Sequence, residues 1–165
     1  MCGFLRISYQ ACASNSLGRP EQLASCQKGF TVTLELWILV ICTVLGLFFP
    51  FFYNWHYGQQ VGGKALAGNR DGLPERRGAA ARGLRAHQNH LENLLPFAIV
   101  ILVARIAGMS NFVTELGAML FLIGRLTHSI TYCAGISVAG IRPIAYFVGL
   151  VGILCVASQL LHFLA

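Results

Sequence analysis

The chain has 165 residues, 56% of them hydrophobic and only 11% charged, with a mean hydropathy of +0.64. Soluble domains carry about 25% charged residues, so this composition excludes an ordinary water-soluble globule. The formal charge of +6 and the pI near 9.3 would fit a nucleic-acid partner in a polar chain. In a chain this apolar they report membrane topology instead, and no nucleic-acid partner is expected.

Residues 1–31 are mixed and weakly polar, without an apolar run. They read as a disordered tail or as a start codon placed too far upstream, not as a cleavable signal. Residues 32–165 read as one domain crossing the membrane four times. The first span is expected over 34–53, with Thr33 as N-cap and Pro50 near the exit. Phe51, Phe52, Tyr53, Trp55 and Tyr57 form an aromatic belt at its end.

A Gly-rich, charged connection follows, and Asp71-Gly72-Leu73-Pro74 reads as a turn before a second helix over 76–107. The apolar run of that helix, Leu94 to Ala104, is too short to cross a hydrocarbon core of ~20 residues, so its earlier polar turns must enter the membrane or its edge. After a turn at Gly108-Met109-Ser110-Asn111, which supplies an N-cap, a third span is expected over 112–134 and a fourth over 143–164, with Pro143 in its first turn. Short connections force neighbouring helices antiparallel, giving an all-α membrane protein, an up-down four-helix transmembrane bundle. Lys64, Arg70, Arg76, Arg77, Arg82, Arg85 and Arg142 all fall at one end, which the positive-inside rule places in the cytoplasm, with both termini outside.

The six cysteines show no CxxC or zinc spacing, so no metal site is expected. Ionisable residues inside spans are functional candidates, since a mid-bilayer charge costs about 2.5 to 3.5 kcal/mol even on the lenient insertion scale. On the second helix Arg85, Asn89 and Glu92 fall at i, i+4 and i+7; on the third, Arg125, His128 and Tyr132 fall at i, i+3 and i+7. At 100° per residue each trio occupies an arc of about 60 to 80°, a polar stripe that lipid would reject. Each residue also has a bland reading. Arg85 can snorkel to headgroups, Glu92 can pair with Arg125, His128 can be a packing residue and Tyr132 a belt aromatic. Taken together on adjacent helices they point to a site for an anionic or zwitterionic ligand. Pro96 cannot donate to the carbonyl of Glu92, so a kink with a free backbone acceptor is expected there. His87 and His90 lie off the stripe and read as structural, and Glu35 reads as a helix-dipole and headgroup residue.

The run Arg85-Ala86-His87-Gln88-Asn89-His90-Leu91-Glu92, followed by Pro96-Phe97, resembles the second-helix motif R-A-x-x-N-x-x-E of the membrane-associated proteins in eicosanoid and glutathione metabolism, the MAPEG family. Gly124-Arg125-Leu126-Thr127-His128-Ser129-Ile130-Thr131-Tyr132 is similar to the third-span run of its prostaglandin synthase members, and Gly140-Ile141-Arg142-Pro143 to the start of the fourth span. The resemblance covers roughly Leu34 to Leu161. It implies a homotrimer with glutathione, as cosubstrate, bound between protomers at the cytoplasmic side. Asn89 and Glu92 would hold the peptide and its amino group, Arg85 and Arg125 would neutralise carboxylates, and His128 would touch the ligand. Tyr132 and Arg142 would lie near the sulfur and act in catalysis. The implied activity is a glutathione transferase or peroxidase acting on lipophilic electrophiles that arrive from the bilayer. Gln88 and Pro143 depart from the eicosanoid-forming pattern, and the loop Ala67-Gly68-Asn69-Arg70-Asp71 looks more like bacterial members, so a bacterial inner-membrane location is expected and eicosanoid synthesis is not. The alternative from another class is a non-catalytic relative binding a thiol or lipid; a haem or quinone bundle on His87, His90 and His128 ranks below both.

Overall fold

A computed structural model describes residues 32–138 and 140–162, and the expectation for residues 1–31, with Cys2, Cys12 and Cys26, lies outside them. The chain forms α1 (Leu34–Val61), the short α2 (Gly63–Ala67), α3 (Gly78–Ile106), α4 (Phe112–Ala134) and α5 (Ile141–His162). No strand occurs among the described residues. Helix α1, helix α3 and residues 141–161 of α5 are each long and apolar enough to cross a membrane. Helix α4 is of similar length at 23 residues and carries Glu115, Arg125 and His128. The chain is an integral membrane protein built as an up-down four-helix bundle, with α1 packed on α3, and α4 on α5.

The surface is apolar because its solvent is lipid: Leu47, Phe51, Leu95 and Ile106 point outward at 65, 74, 65 and 87% exposure. Inside lie Ile38, Cys42, Phe97, Ile101, Ala118, Phe121 and Val156, with Phe97 and Phe121 stacked at 3.8 Å between centroids and 10° between planes. Lipid tails are as apolar as leucine, so helices associate through close packing on small residues. The α4–α5 pair follows that rule. A Cβ on Gly124 would lie 2.7 Å from the Ala145 carbonyl oxygen and the Gly149 nitrogen, and one on Gly117 would lie 2.7 Å from the Gly152 carbonyl oxygen. Gly83 gives α3 the same intimacy with α1, since a Cβ there would lie 2.7 Å from Phe52.

The boundaries depart from the sequence reading in three places. Helix α1 does not stop near Tyr53: it runs through Pro50 to Val61. Tyr57 and Gln60 on this extension hold the following connection, with Tyr57 Oη donating to the Pro74 carbonyl at 2.6 Å and Gln60 exchanging hydrogen bonds with the Arg77 backbone at 2.8 and 3.2 Å. Helix α3 begins at Gly78, because residues 68–77 are tied down as this non-helical strap. It then passes Pro96 without a break, so the expected kink leaves no interruption in the helix. Helix α5 starts at Ile141, which places Pro143 inside the first turn, where the missing N–H has no partner to lose.

The ends distant from the strap are fastened by polar groups. Asn111 caps α4 in a reciprocal capping box with Thr114, whereas Thr33 occupies the N-cap of α1 with no side-chain cap bond. Glu35 is 2% exposed and accepts from Thr114 Oγ1 at 2.6 Å and Ser110 Oγ at 3.0 Å. It therefore clasps α1 to the start of α4, a tertiary role beyond the dipole and headgroup role expected from sequence.

Substituting Gly124→Leu drives backbone into backbone, and thermal melts in detergent are expected to show a loss of at least about 3 kcal/mol or no folded protein. Gly63→Ala, where a Cβ meets nothing within 4 Å, is expected to leave the melt unchanged.

Candidate functional site

The polar stripes meet at the strap end of the bundle. Arg125 is the largest fully buried side chain, 1% exposed, on a helix face packed against α3 and α5. Its Nη1 donates to Asn89 Oδ1 at 3.0 Å and its Nη2 reaches the Tyr146 carbonyl at 3.5 Å. The guanidinium also lies 5.7 Å from the Phe121 ring centre and 5.6 Å from that of Tyr146. Gly149 makes room for it, since a Cβ there would come within 2.9 Å of Nη2. Glu92 is not its partner: the carboxylate is exposed on the protomer surface. The Arg125 guanidinium is enclosed within the protomer and meets the second-helix stripe through Asn89.

One and two turns along α4, His128 and Tyr132 stack at 5.4 Å and 30°. Tyr132 is where the helices converge chemically. Arg85 of α3 donates from Nε to its hydroxyl at 3.2 Å, and Arg142 of α5 places its guanidinium carbon 4.6 Å from the ring centre. Arg142 also donates to the Ile136 carbonyl at 2.8 Å, beyond the C-terminus of α4. The helix dipole favours cations there. Tyr132, Arg142 and Asn89 are half-buried, His128 is buried, and Arg85 and Glu92 are exposed.

A residue outside the sequence-derived set joins them. Arg82 lays its guanidinium against Gly135, the left-handed C-cap of α4, so that a Cβ at Gly135 would lie 3.1 Å from Arg82 Cζ. Its position three residues before Arg85 is the signal that extends the stripe by one turn. Arg82, Arg85, Arg125 and Arg142 thus gather with Glu92 as the sole acid of the stripes. Among the described residues, the Nε atoms of Arg82, Arg125 and Arg142 are buried without a hydrogen-bond partner. Such a donor-rich cluster fits an anion.

The two off-stripe histidines pack on α1. His90 is buried, with Nε2 at 2.8 Å from the Cys42 carbonyl, and His87 stacks on Phe49 at 5.5 Å and 17°. Cys42, Cys133 and Cys155 are free thiols, and no group of three or more potential metal ligands occurs among the described residues.

Apolar space lies at the same level. A groove of about 550 Å³ is lined by Pro50, Phe51, Trp55, Gly58 and Leu66 together with Asn54, Gln59 and Gly63. It is level with the cations because Phe52 packs on Gly83 and Tyr53 on His87. A smaller cavity of about 200 Å³ between α1 and α4 is lined by Leu45, Phe48, Phe49, Phe52, Ser129, Ile130 and Cys133. None of the four arginines lines either cavity, so one protomer presents the charged cluster and the apolar groove as separate surfaces.

Replacing Tyr132→Phe keeps the ring between His128 and Arg142 and removes one partly exposed hydrogen bond. A melt shifted by no more than about 1 kcal/mol is expected, which would assign the hydroxyl to chemistry instead of folding.

Residues 34–162 match the sequence model of the MAPEG family. Among curated proteins, similarity reaches the prostaglandin E synthase of Equus caballus, 36% identical over 67 residues, which cover 41% of this chain and 43% of that protein. The Homo sapiens prostaglandin E synthase is 32% identical over 80 residues, 48% of this chain and 52% of the relative. The matched stretch therefore spans about half the length of these curated relatives.

Proposed function

The chain belongs to the MAPEG family, and we propose that it binds glutathione and acts, as a transferase or peroxidase, on lipophilic electrophiles drawn from the bilayer by thiolate attack. The observation that carries this reading is the clamp of Arg85 and Arg142 on Tyr132, four arginines deep, beside an apolar groove at the same membrane level. The binding set is Arg85, Asn89, Glu92, Arg125 and His128, with Glu92 facing the ligand's ammonium group and the cations its carboxylates. Arg142 and Tyr132 serve the sulfur.

The physical requirement is modest. A free thiol has a pKa of about 8.5, and lowering it by ~2 units takes ~2.7 kcal/mol of preferential thiolate stabilisation. A guanidinium at the mouth of a low-dielectric site supplies that order of energy and never itself takes the proton. The Tyr132 hydroxyl adds a neutral donor. The sulfur lone pair then forms the new bond to the electrophilic atom, whose departing or ring-opened group leaves with the electron pair. Positioning the two reactants supplies the remaining acceleration.

Exposed Glu92 and Arg85 on a membrane-embedded surface support a homotrimer, since lipid contact is costly for both and a neighbouring copy would cover them. In that assembly the groove of one protomer faces the arginines of the next, which brings the two separate surfaces together. The basic strap and Arg142 support a cytoplasmic site, with the start of α1 and the end of α5 on the opposite side; a bacterial inner membrane is the proposed setting.

Adding glutathione to purified protein is expected to produce the ultraviolet absorbance of a thiolate. In Arg142→Ala that signal should fall about 25-fold at pH 7, as the bound thiol's pKa returns from about 6.5 to about 8.5, while glutathione still binds. Glu92→Ala should weaken binding about tenfold or more. Wild-type protein that binds glutathione only as the thiol would overturn the proposal.

A further inference from the structure

Asn89 and Tyr132 are neutral hydrogen-bonding side chains of the stripes that meet an arginine, and each can donate or accept. A ligand meeting an unconstrained amide or phenol finds either character. Here each is approached by a group that can only donate. Arg125 Nη1 points at Asn89 Oδ1 at 3.0 Å, and Arg85 Nε points at Tyr132 Oη at 3.2 Å. A guanidinium has no acceptor, so neither bond can be reversed.

The consequences are geometric. With Oδ1 accepting from Arg125, the Asn89 amide keeps its Nδ2 hydrogens off the guanidinium and free for another acceptor. That outcome is fixed by chemistry, since a flipped amide would place N–H against N–H. The phenolic proton prefers the ring plane, where it has two positions beside the oxygen. With Arg85 along one of them, the proton takes the other, while Arg142 lies over the ring face at 4.6 Å. Both stripe residues thus keep their hydrogens for a partner other than the arginine that binds them.

We infer that Arg125 and Arg85 are positioning residues that set hydrogen-bond polarity, Arg125 making Asn89 a donor to a ligand carbonyl or carboxylate and Arg85 making Tyr132 a donor to the sulfur. This rests on the proposed thiol-binding function and gives two of its arginines a positioning role as well. Arg125 is suited to the task because it is 1% exposed, so its charge acts through Asn89 and the Tyr146 carbonyl. The groups around Tyr132 are Arg85 from α3, His128 from α4 and Arg142 from α5, with no acid in contact with it among the described residues.

The test uses the purified full-length protein and reduced glutathione. Asn89→Asp keeps the side chain's shape, gives Arg125 a charged partner and turns the outward group from donor to acceptor. The glutathione Kd should rise ~30-fold or more, because an acceptor is set against an acceptor, while the melting temperature does not fall. A Kd within about threefold of wild type would overturn the role of Arg125. Arg85→Gln should shift the pH profile of the bound thiol up by about one unit, which cuts the thiolate fraction about threefold at pH 7. In the Tyr132→Phe background the same change should have no further effect. An equal loss in both backgrounds, or a raised Kd at unchanged thiolate pH profile, overturns the role of Arg85.

The thiol reading fails separately, if wild-type protein does not bind glutathione at all. Polarity is then decided by stability. Asn89→Asp should raise the melting temperature when Arg125 is present and lower it in Arg125→Met, whereas the same shift in both backgrounds overturns the inference.

Discussion

A full positive charge enclosed within a membrane bundle is the constraint from which the rest of this structure follows. Arg125 is 1% exposed, and such a charge costs about 2.5 to 3.5 kcal/mol on the lenient insertion scale, more if left without partners. Its neighbours read as answers to that cost. Asn89 turns its oxygen inward and the Tyr146 carbonyl points at the guanidinium. Two aromatic faces flank it, and Gly149 vacates the volume it needs. The glycine contacts at 117, 124, 149 and 152 bring α4 and α5 near enough for a carbonyl on one helix to serve an arginine on the other.

Charge satisfied in this way does not end inside the protomer. Arg125 is bonded to Asn89, and one turn earlier on α3 Arg85 is bonded to Tyr132, so hydrogen bonds from arginines tie the two stripes together. Glu92 and Arg85 remain exposed at membrane depth, beside leucines that face lipid comfortably. A second copy covering Glu92 and Arg85 would place its apolar groove against the cations, and a reaction joining a polar thiol to an apolar acceptor needs both surfaces.

The helices of the bundle were legible because apolar runs of bilayer length leave little choice. The α4 bounds, Phe112 to Ala134, follow from the Asn111 cap and the Gly135 stop. Less legible was anything decided by tertiary contact. Pro50 and the aromatic belt suggested an exit near Tyr53, but Tyr57 and Gln60 find partners only in the folded strap, and those partners carry α1 to Val61. The same bonds delay α3 to Gly78. The two stripes were visible from spacing, yet spacing could not say which stripe residues touch. Glu92 and Arg125 looked like an ion pair from charge alone, whereas depth separates them: one is buried and the other exposed. Arg82 escaped notice because a residue near the strap looks like a topology signal until the C-cap it covers is seen.

The central claim is that this cluster of cations exists to hold a sulfur anion. Calorimetric titration of the purified protein with glutathione, repeated in buffers of different ionisation enthalpy, measures protons released on binding. Near pH 7 a free thiol with a pKa of about 8.5 is almost wholly protonated, so the account predicts release approaching one proton per occupied site. Binding with no proton release, or no binding heat in any buffer, would contradict it.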